Sequence, residues 1–142
     1  MTPGSTVGLA QRTMVEVLRG DYAQALTTAT AMPAGIWRLI ALAFATQRAS
    51  DSAAADQALQ DLIDESTDGS AYQIAEVYAL RGDAEQTFAW LDRAWTNRDP
   101  GLRRLLLDPF IAAYRGDPRF ADFCRRIGLP PPDTSRPAIQ AG

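Results

Sequence analysis

The sequence of 142 residues contains no lysine and no histidine, and Cys124 is its single cysteine. Without lysine the chain has neither a phosphate-loop lysine nor a Schiff-base amine. Without histidine it lacks the usual general base and a common metal ligand. One cysteine cannot form an internal disulfide or a thiolate metal cluster. An enzyme would have to rely on Asp, Glu, Arg, Tyr and Ser, so the composition predicts a protein without catalytic activity, metal or cofactor.

The charge and the hydropathy of the chain limit the kinds of partner that it can bind. The net charge is −3, and a negative chain is a poor candidate for nucleic-acid binding. The most apolar stretch, residues 29–47, is interrupted by Pro33, Gly35 and Arg38, which argues against a membrane span. The N-terminal residues MTPGSTVG lack the basic start and the apolar run of a signal peptide. These features predict a cytoplasmic protein with neither nucleic acid nor membrane as partner.

Two short motifs predict where helices end and begin. Arg-Gly-Asp occurs at residues 19–21, 81–83 and 115–117, where glycine can end one helix in the left-handed conformation and aspartate can cap the next. Asp-Pro occurs at residues 99, 108 and 117, and this pair is typical of a helix start. No segment shows the sustained alternation typical of strands. We predict eight helices, near residues 7–19, 21–31, 34–48, 51–65, 70–81, 83–97, 100–107 and 117–127.

A spacing of 34 residues relates two of these helices. The related residues are Ile40, Ala41 and Phe44 in one helix, and Ile74, Ala75 and Tyr78 in the other. The small residue allows close approach of a neighbouring helix, and the aromatic one turn later fills the gap between them. A period of 34 is the length of one tetratricopeptide (TPR) unit.

On these residues the chain resembles a TPR domain. The segment AYQIAEVYALRGDAEQTFAWLDRAW looks like a TPR hairpin, and the following RDPGLRRLLLDPFIAAYRGDPRFADFCRRIGLP resembles the closing segment of bacterial regulators that carry adenylate cyclase or winged-helix domains. The resemblance implies an all-α fold, a TPR-like right-handed helical solenoid of antiparallel helix hairpins with about eight helices. We expect a flexible N-terminus at 1–6, the TPR-like domain at 7–129 and a proline-rich mobile tail at 130–142.

The resemblance also implies a binding surface. In TPR solenoids the first helix of each hairpin lines a concave groove that holds a partner segment. In this chain the helices predicted near 34–48 and 70–81 would take this place, and residues on their exposed faces form the predicted groove. There Arg38 would supply a charge and Tyr72 an aromatic platform. Its residues are Arg38, Leu42, Ala45, Tyr72, Glu76 and Ala79. A lysine-rich and asparagine-rich clamp for chaperone C-termini is excluded, because the chain has no lysine and a single asparagine.

Charge is distributed unevenly along the chain. Residues 47–70 hold six acidic residues and one arginine, a net −5, whereas residues 98–126 hold seven arginines and four aspartates, a net +3. The acidic residues have helical spacing, which favours a solvated helix face over a calcium loop. This asymmetry can drive self-association of acidic against basic ends, or attract an acidic partner.

The aromatic residues near position 90 are predicted to lie in the core. Phe88, Leu91 and Trp95 are spaced i, i+3 and i+7, so they share one face of the helix predicted at 83–97. A core role is favoured over an exposed aromatic cage, so we expect Trp95 to be buried.

The sequence therefore predicts a non-catalytic protein–protein interaction module of a bacterial regulatory or assembly system. It would bind a protein or peptide partner in the concave groove. The alternative is a sensory or oligomerisation domain of a larger signalling protein that acts by self-association as a homo-oligomer.

Overall fold

A computed structural model describes residues 5–66 and 68–130, and within these residues the chain forms helices and no strands. The all-α prediction is confirmed. The elements are α1 (Thr6–Leu18), α2 (Tyr22–Thr30), α3 (Ile36–Thr46), α4 (Ser52–Ser66), α5 (Ala71–Arg81), α6 (Ala84–Thr96), the 3-10 helices η1 (Pro100–Leu107) and η2 (Ile111–Tyr114), and α7 (Pro118–Ile127).

Three details differ from the helices expected from the sequence. Residues 100–107 form a 3-10 helix, and residues 111–114 form a further single turn that was not predicted. Thr6, assigned to the flexible N-terminus, is already helical, because the Ser5 hydroxyl caps α1 by accepting from the Gly8 N–H at 3.1 Å. Of the two predicted mobile ends, residues 1–4 and 131–142 lie outside the described residues.

The Arg-Gly-Asp motifs end and begin helices as their chemistry predicts at two of three sites. Gly20 and Gly82 have φ values of 79° and 89°, a left-handed conformation that glycine adopts without a steric penalty. Asp21 and Asp83 cap the following helices, each accepting a backbone N–H three residues later. At the third motif Asp117 also caps the following helix, but Gly116 has no positive φ, so the glycine does not end the preceding turn as predicted.

Helices α1 and α2, α3 and α4, and α5 and α6 form three successive pairs, each joined by a short connection that makes its helices antiparallel. The pairs pack side by side: α3 contacts both helices of the first pair, and α5 contacts both helices of the second. The residues related by the 34-residue spacing lie in the shared core, where Ala41 and Ala75 are fully buried. Residues with this spacing therefore occupy corresponding packing positions on α3 and α5.

Residues 99–114, here called the return segment, fold back over α3 and α5. Phe110 packs against Phe44 of α3 with a centroid distance of 5.0 Å. The Tyr114 hydroxyl donates to the carbonyl of Ala79 on α5 at 3.0 Å. As a result, the return segment covers part of the surface that these two helices would otherwise present to a partner.

The prediction that Trp95 is buried is wrong. Phe88 and Leu91 are buried as expected, but Trp95 is 45% exposed. The reason is its position: α6 ends at Thr96, so Trp95 lies in the last turn, where the chain leaves the helix and few neighbours remain to cover the ring. Trp90 is buried in the core, with the Arg93 guanidinium 4.9 Å from its ring centroid.

Across residues 5–66 and 68–130, no helix has both the length and the apolar character needed to cross a membrane.

Candidate functional site

Four of the six residues of the predicted groove are buried. These are Ala45, Tyr72, Glu76 and Ala79. The expectation that Tyr72 offers an exposed aromatic platform is wrong, since its ring is fully buried beneath the return segment. The sequence could not show this, because the covering residues follow Tyr72 by about thirty positions.

The other two groove residues lie in a different place. Arg38 and Leu42 are half-buried and line a small cavity of about 240 Å³ together with Gly35 and Glu65. The Arg38 Nε atom is buried and forms no hydrogen bond with any described residue. The structure therefore does not bring the six residues together on one open surface, and their role in partner binding stays a prediction.

Tyr72 anchors the return segment through its two polar groups. Its hydroxyl donates to Asp108 Oδ2 at 2.6 Å, and its backbone N–H donates to Asp99 Oδ2 at 3.1 Å. The other oxygen of Asp108 accepts the N–H groups of Phe110 and Ile111, which starts η2. Because these groups are buried, breaking one bond leaves a polar atom without a partner and destabilises the fold.

Glu76 lies beside this network and is 2% exposed. Burial raises the pKa of Glu76 well above its ordinary value of 4.5, and the adjacent Asp108 raises it further. The Arg104 guanidinium, 3.6 Å from Glu76 Oε1, lowers the pKa but does not outweigh burial. Burial and Asp108 likewise raise the pKa of Tyr72. Both groups are sealed under the return segment, so their shifts reflect packing.

This burial makes stability depend on pH. Since Glu76 holds its proton more tightly in the folded chain, the folded state binds more protons than the unfolded state above pH 4.5, and stability falls as pH rises toward the raised pKa. Glu76→Gln should remove this fall and raise the free energy of unfolding at neutral pH by about 1 kcal/mol. Urea unfolding between about pH 5 and 9 measures it.

The matched control is Glu85→Gln, which changes an exposed glutamate of α6. It should leave the pH profile of the wild-type chain unchanged. Parallel profiles for Glu76→Gln and the wild type would contradict the assignment of a raised pKa to Glu76.

A cleft opens at the end of α6. It has a volume of about 660 Å³, and the half-exposed Trp95 forms part of its wall. Arg98 and Arg103 are exposed side chains of the same wall. The remaining lining residues are Thr96, Asp99, Pro100 and Leu102. The cleft thus combines an aromatic surface with two guanidinium groups.

Arg98 and Arg103 differ from the other arginines of the basic region. Of the seven arginines in residues 98–126, five bind groups of the chain itself and these two form no ion pair with a described residue. The five bound arginines are Arg104 with Glu76, Arg115 with the carbonyl of Leu106, Arg119 with Asp117, Arg125 with Asp122, and Arg126 with Asp92. The arginines that are free to pair with a ligand in this region therefore lie at the cleft.

Asp99 also lines the cleft, but its carboxylate is already used. One oxygen accepts the N–H of Gly101 at 2.8 Å and the other accepts the N–H of Tyr72 at 3.1 Å. These hydrogen bonds hold the carboxylate as a cap for η1, and it forms no ion pair with Arg98 or Arg103.

The aspartates of α4 and of the turn after it also have partners within the chain. Asp56 on α4 pairs with Arg81, and Asp68, just beyond α4, binds Arg93 and Asn97. On α4, Asp61 and Asp64 accept hydrogen bonds from glutamines one turn earlier. Within the described part of the chain, no group of three or more potential ligand side chains is placed to hold a metal ion.

The sequence did point to this part of the chain through its excess of arginine, but that excess alone could not locate the cleft. Counting charges identified the basic region, yet counting cannot tell an arginine that is paired with an aspartate from one that is free. Comparisons of this chain with protein-family models, with curated proteins and with solved structures find no match. The function of the cleft is therefore inferred from the side chains that line it.

Proposed function

We propose that this chain is a non-catalytic protein-interaction module of a cytoplasmic bacterial regulatory or assembly system, built as a TPR-like right-handed solenoid. The order of helix contacts supports the TPR-like arrangement, because the first helix of each pair packs against the next pair's first helix. The 34-residue spacing of small and aromatic core residues supports it as well.

The observation that carries the interaction function is the half-exposed Trp95 in the wall of the cleft. Exposing part of a large aromatic ring forgoes the stabilisation that burial would provide. Tryptophan and arginine are also the residue types most enriched at binding hot spots. The cleft is therefore a better binding surface than the predicted concave groove, which the return segment partly fills.

The remaining chemistry supports a non-catalytic role. The two groups with the strongest pKa shifts, Tyr72 and Glu76, are buried and do not line the cleft. Cys124 is buried, and burial raises the pKa of its thiol, which disfavours the nucleophilic thiolate. The cleft itself offers guanidinium and indole groups, which bind ligands but do not transfer protons near neutral pH.

Selection of a displayed library of random peptides, each about 12 residues long, against the immobilised chain tests this function. We expect a recurrent sequence motif whose binding is lost in Trp95→Ala. Leu107→Ala is the matched control, because Leu107 is 86% exposed and does not line the cleft. Failure to enrich any motif would contradict an interaction function, and equal binding by Trp95→Ala would contradict the cleft assignment.

Self-association is a second candidate, and exposed apolar side chains on the first helix pair favour it. They are Val7, Val15 and Leu18 on α1 and Leu26 on α2. Salt weakens attraction between charges, and an apolar interface depends little on such attraction. Such a dimer should therefore persist at high ionic strength. Size-exclusion chromatography with light scattering at low and high salt distinguishes this dimer from a monomeric binding module.

A further inference from the structure

Arg98 is the one described non-glycine residue with a positive φ, 55°. It occupies the position just beyond α6, where its N–H donates to the carbonyl of Trp95 at 3.1 Å and the next N–H donates to Ala94 at 2.8 Å. This pair of bonds is the Schellman motif, in which the left-handed residue is usually glycine. An arginine there carries a steric penalty that glycine would avoid.

The same chain uses glycine at three equivalent helix ends. Gly20, Gly82 and Gly128 have φ between 79° and 89° and make the same two backbone bonds after α1, α5 and α7. The end of α6 therefore departs from the pattern that the rest of the chain follows. Three helix ends of this chain thus have an unstrained glycine where α6 has a strained arginine. This difference indicates that the Arg98 side chain has a functional role at that position.

That side chain lies on the cleft. Arg98 and Arg103 both line it beside Trp95, and neither forms an ion pair with a residue that the structure describes. A guanidinium is a planar fork of donors that matches a carboxylate, and an indole ring offers a flat surface for an apolar side chain. The complement of this surface is a chain that carries carboxylates next to an apolar residue.

We infer that the cleft formed by Trp95, Arg98 and Arg103 is the docking site for an acidic segment of a partner protein. This inference rests on the proposed interaction function and names the chemistry of the partner. The cleft volume of about 660 Å³ fits a few extended residues. Asp99 lines the same cleft and forms no ion pair with Arg98 or Arg103; its two oxygens accept the N–H groups of Tyr72 and Gly101.

A protein carboxylate is favoured over a nucleic acid. Binding a phosphate backbone requires a continuous row of free cations, whereas most arginines of the basic region are bound within the chain. Two free guanidinium groups beside one ring suit a short acidic segment.

Fluorescence anisotropy with a labelled peptide of about ten residues, rich in Asp and Glu around a central Phe, tests this inference. We expect binding by the wild-type chain that weakens at least tenfold when NaCl is raised from about 50 to about 500 mM. The same peptide with Asn and Gln in place of the acids should not bind. A poly-dT oligonucleotide of equal charge should bind more weakly than the acidic peptide.

Arg98→Gly gives the sharpest readout, because it should change binding and stability in opposite directions. It should weaken peptide binding about fivefold through loss of one charge pair. It should also raise the melting temperature by about 3 °C, since glycine relieves the left-handed backbone. Arg103→Ala should weaken binding by a similar factor, and Trp95→Ala by about tenfold.

Arg19→Ala is the matched control, because Arg19 is exposed, follows the end of α1 without lining the cleft, and forms no ion pair within the described residues. It should bind the peptide with unchanged affinity. Unchanged affinity in Arg98→Gly, or tighter binding of the oligonucleotide than of the peptide, would overturn the inference. If the random library yields a motif without acidic residues, the interaction function stands and this inference fails.

Discussion

Replacing Tyr72 by alanine should lower the free energy of unfolding by about 3–5 kcal/mol, a large part of the stability of a domain of this size. The ring is fully buried, so its removal leaves a cavity that the helices around it cannot fill. The change also deletes the hydroxyl that donates to Asp108 at 2.6 Å. The return segment would then lose both its packing surface and one of the two hydrogen bonds that Tyr72 makes to it.

Tyr72→Phe separates these two contributions. It keeps the ring and removes only the hydroxyl, so it should cost about 1–2 kcal/mol. Chemical denaturation of the wild type and the two variants measures both values. If Tyr72→Ala unfolds at the same denaturant concentration as the wild type, the ring is not buried in solution, and Tyr72 would again be available to a partner.

A methyl group at position 101 should be nearly as harmful. A Cβ atom on Gly101 would lie 2.7 Å from the Tyr72 ring atoms Cγ and Cδ2, well inside normal contact distance. The ring cannot move aside, because it is buried and its hydroxyl is fixed on Asp108. Gly101→Ala should therefore displace η1 and lower the free energy of unfolding by about 1–3 kcal/mol.

The control for this variant is Gly116→Ala. A Cβ atom on Gly116 would meet no atom within 4 Å, and the residue has no positive φ. Its stability should match that of the wild type or exceed it slightly, because alanine restricts the unfolded chain more than glycine does. Equal denaturation midpoints for Gly101→Ala and Gly116→Ala would show that η1 does not pack closely on Tyr72.

The helix ends were predictable from the sequence because each depends on a few adjacent residues. Asp21 and Asp83 cap helices through bonds that span three positions, and Gly20 and Gly82 end helices by their own backbone preference. The turn of η2 was not among the eight predicted helices, although the Asp108-Pro109 pair before it is typical of a helix start, because a single turn is too short to show a helical hydrophobic pattern. Such local rules therefore predict where helices begin and end along the chain, but they do not predict which helices contact one another.

The candidate site was less predictable for a related reason. The six residues of the predicted groove were selected by their position on two helices, and that position says nothing about a later segment that packs over them. The contact between Phe44 and Phe110 joins residues far apart in the sequence. Trp95 has the spacing of a core residue, yet it is exposed because α6 ends one residue later.

The sequence by itself determined that this protein is helical, where most helices begin and end, and that lysine and histidine chemistry is absent. Only the tertiary structure decided which surface stays open and which arginines stay free. The return segment covers part of α3 and α5, and five of the seven arginines of the basic region bind groups within the chain. Burial and ion pairing depend on distances between residues remote in the chain, and residue order alone does not set those distances.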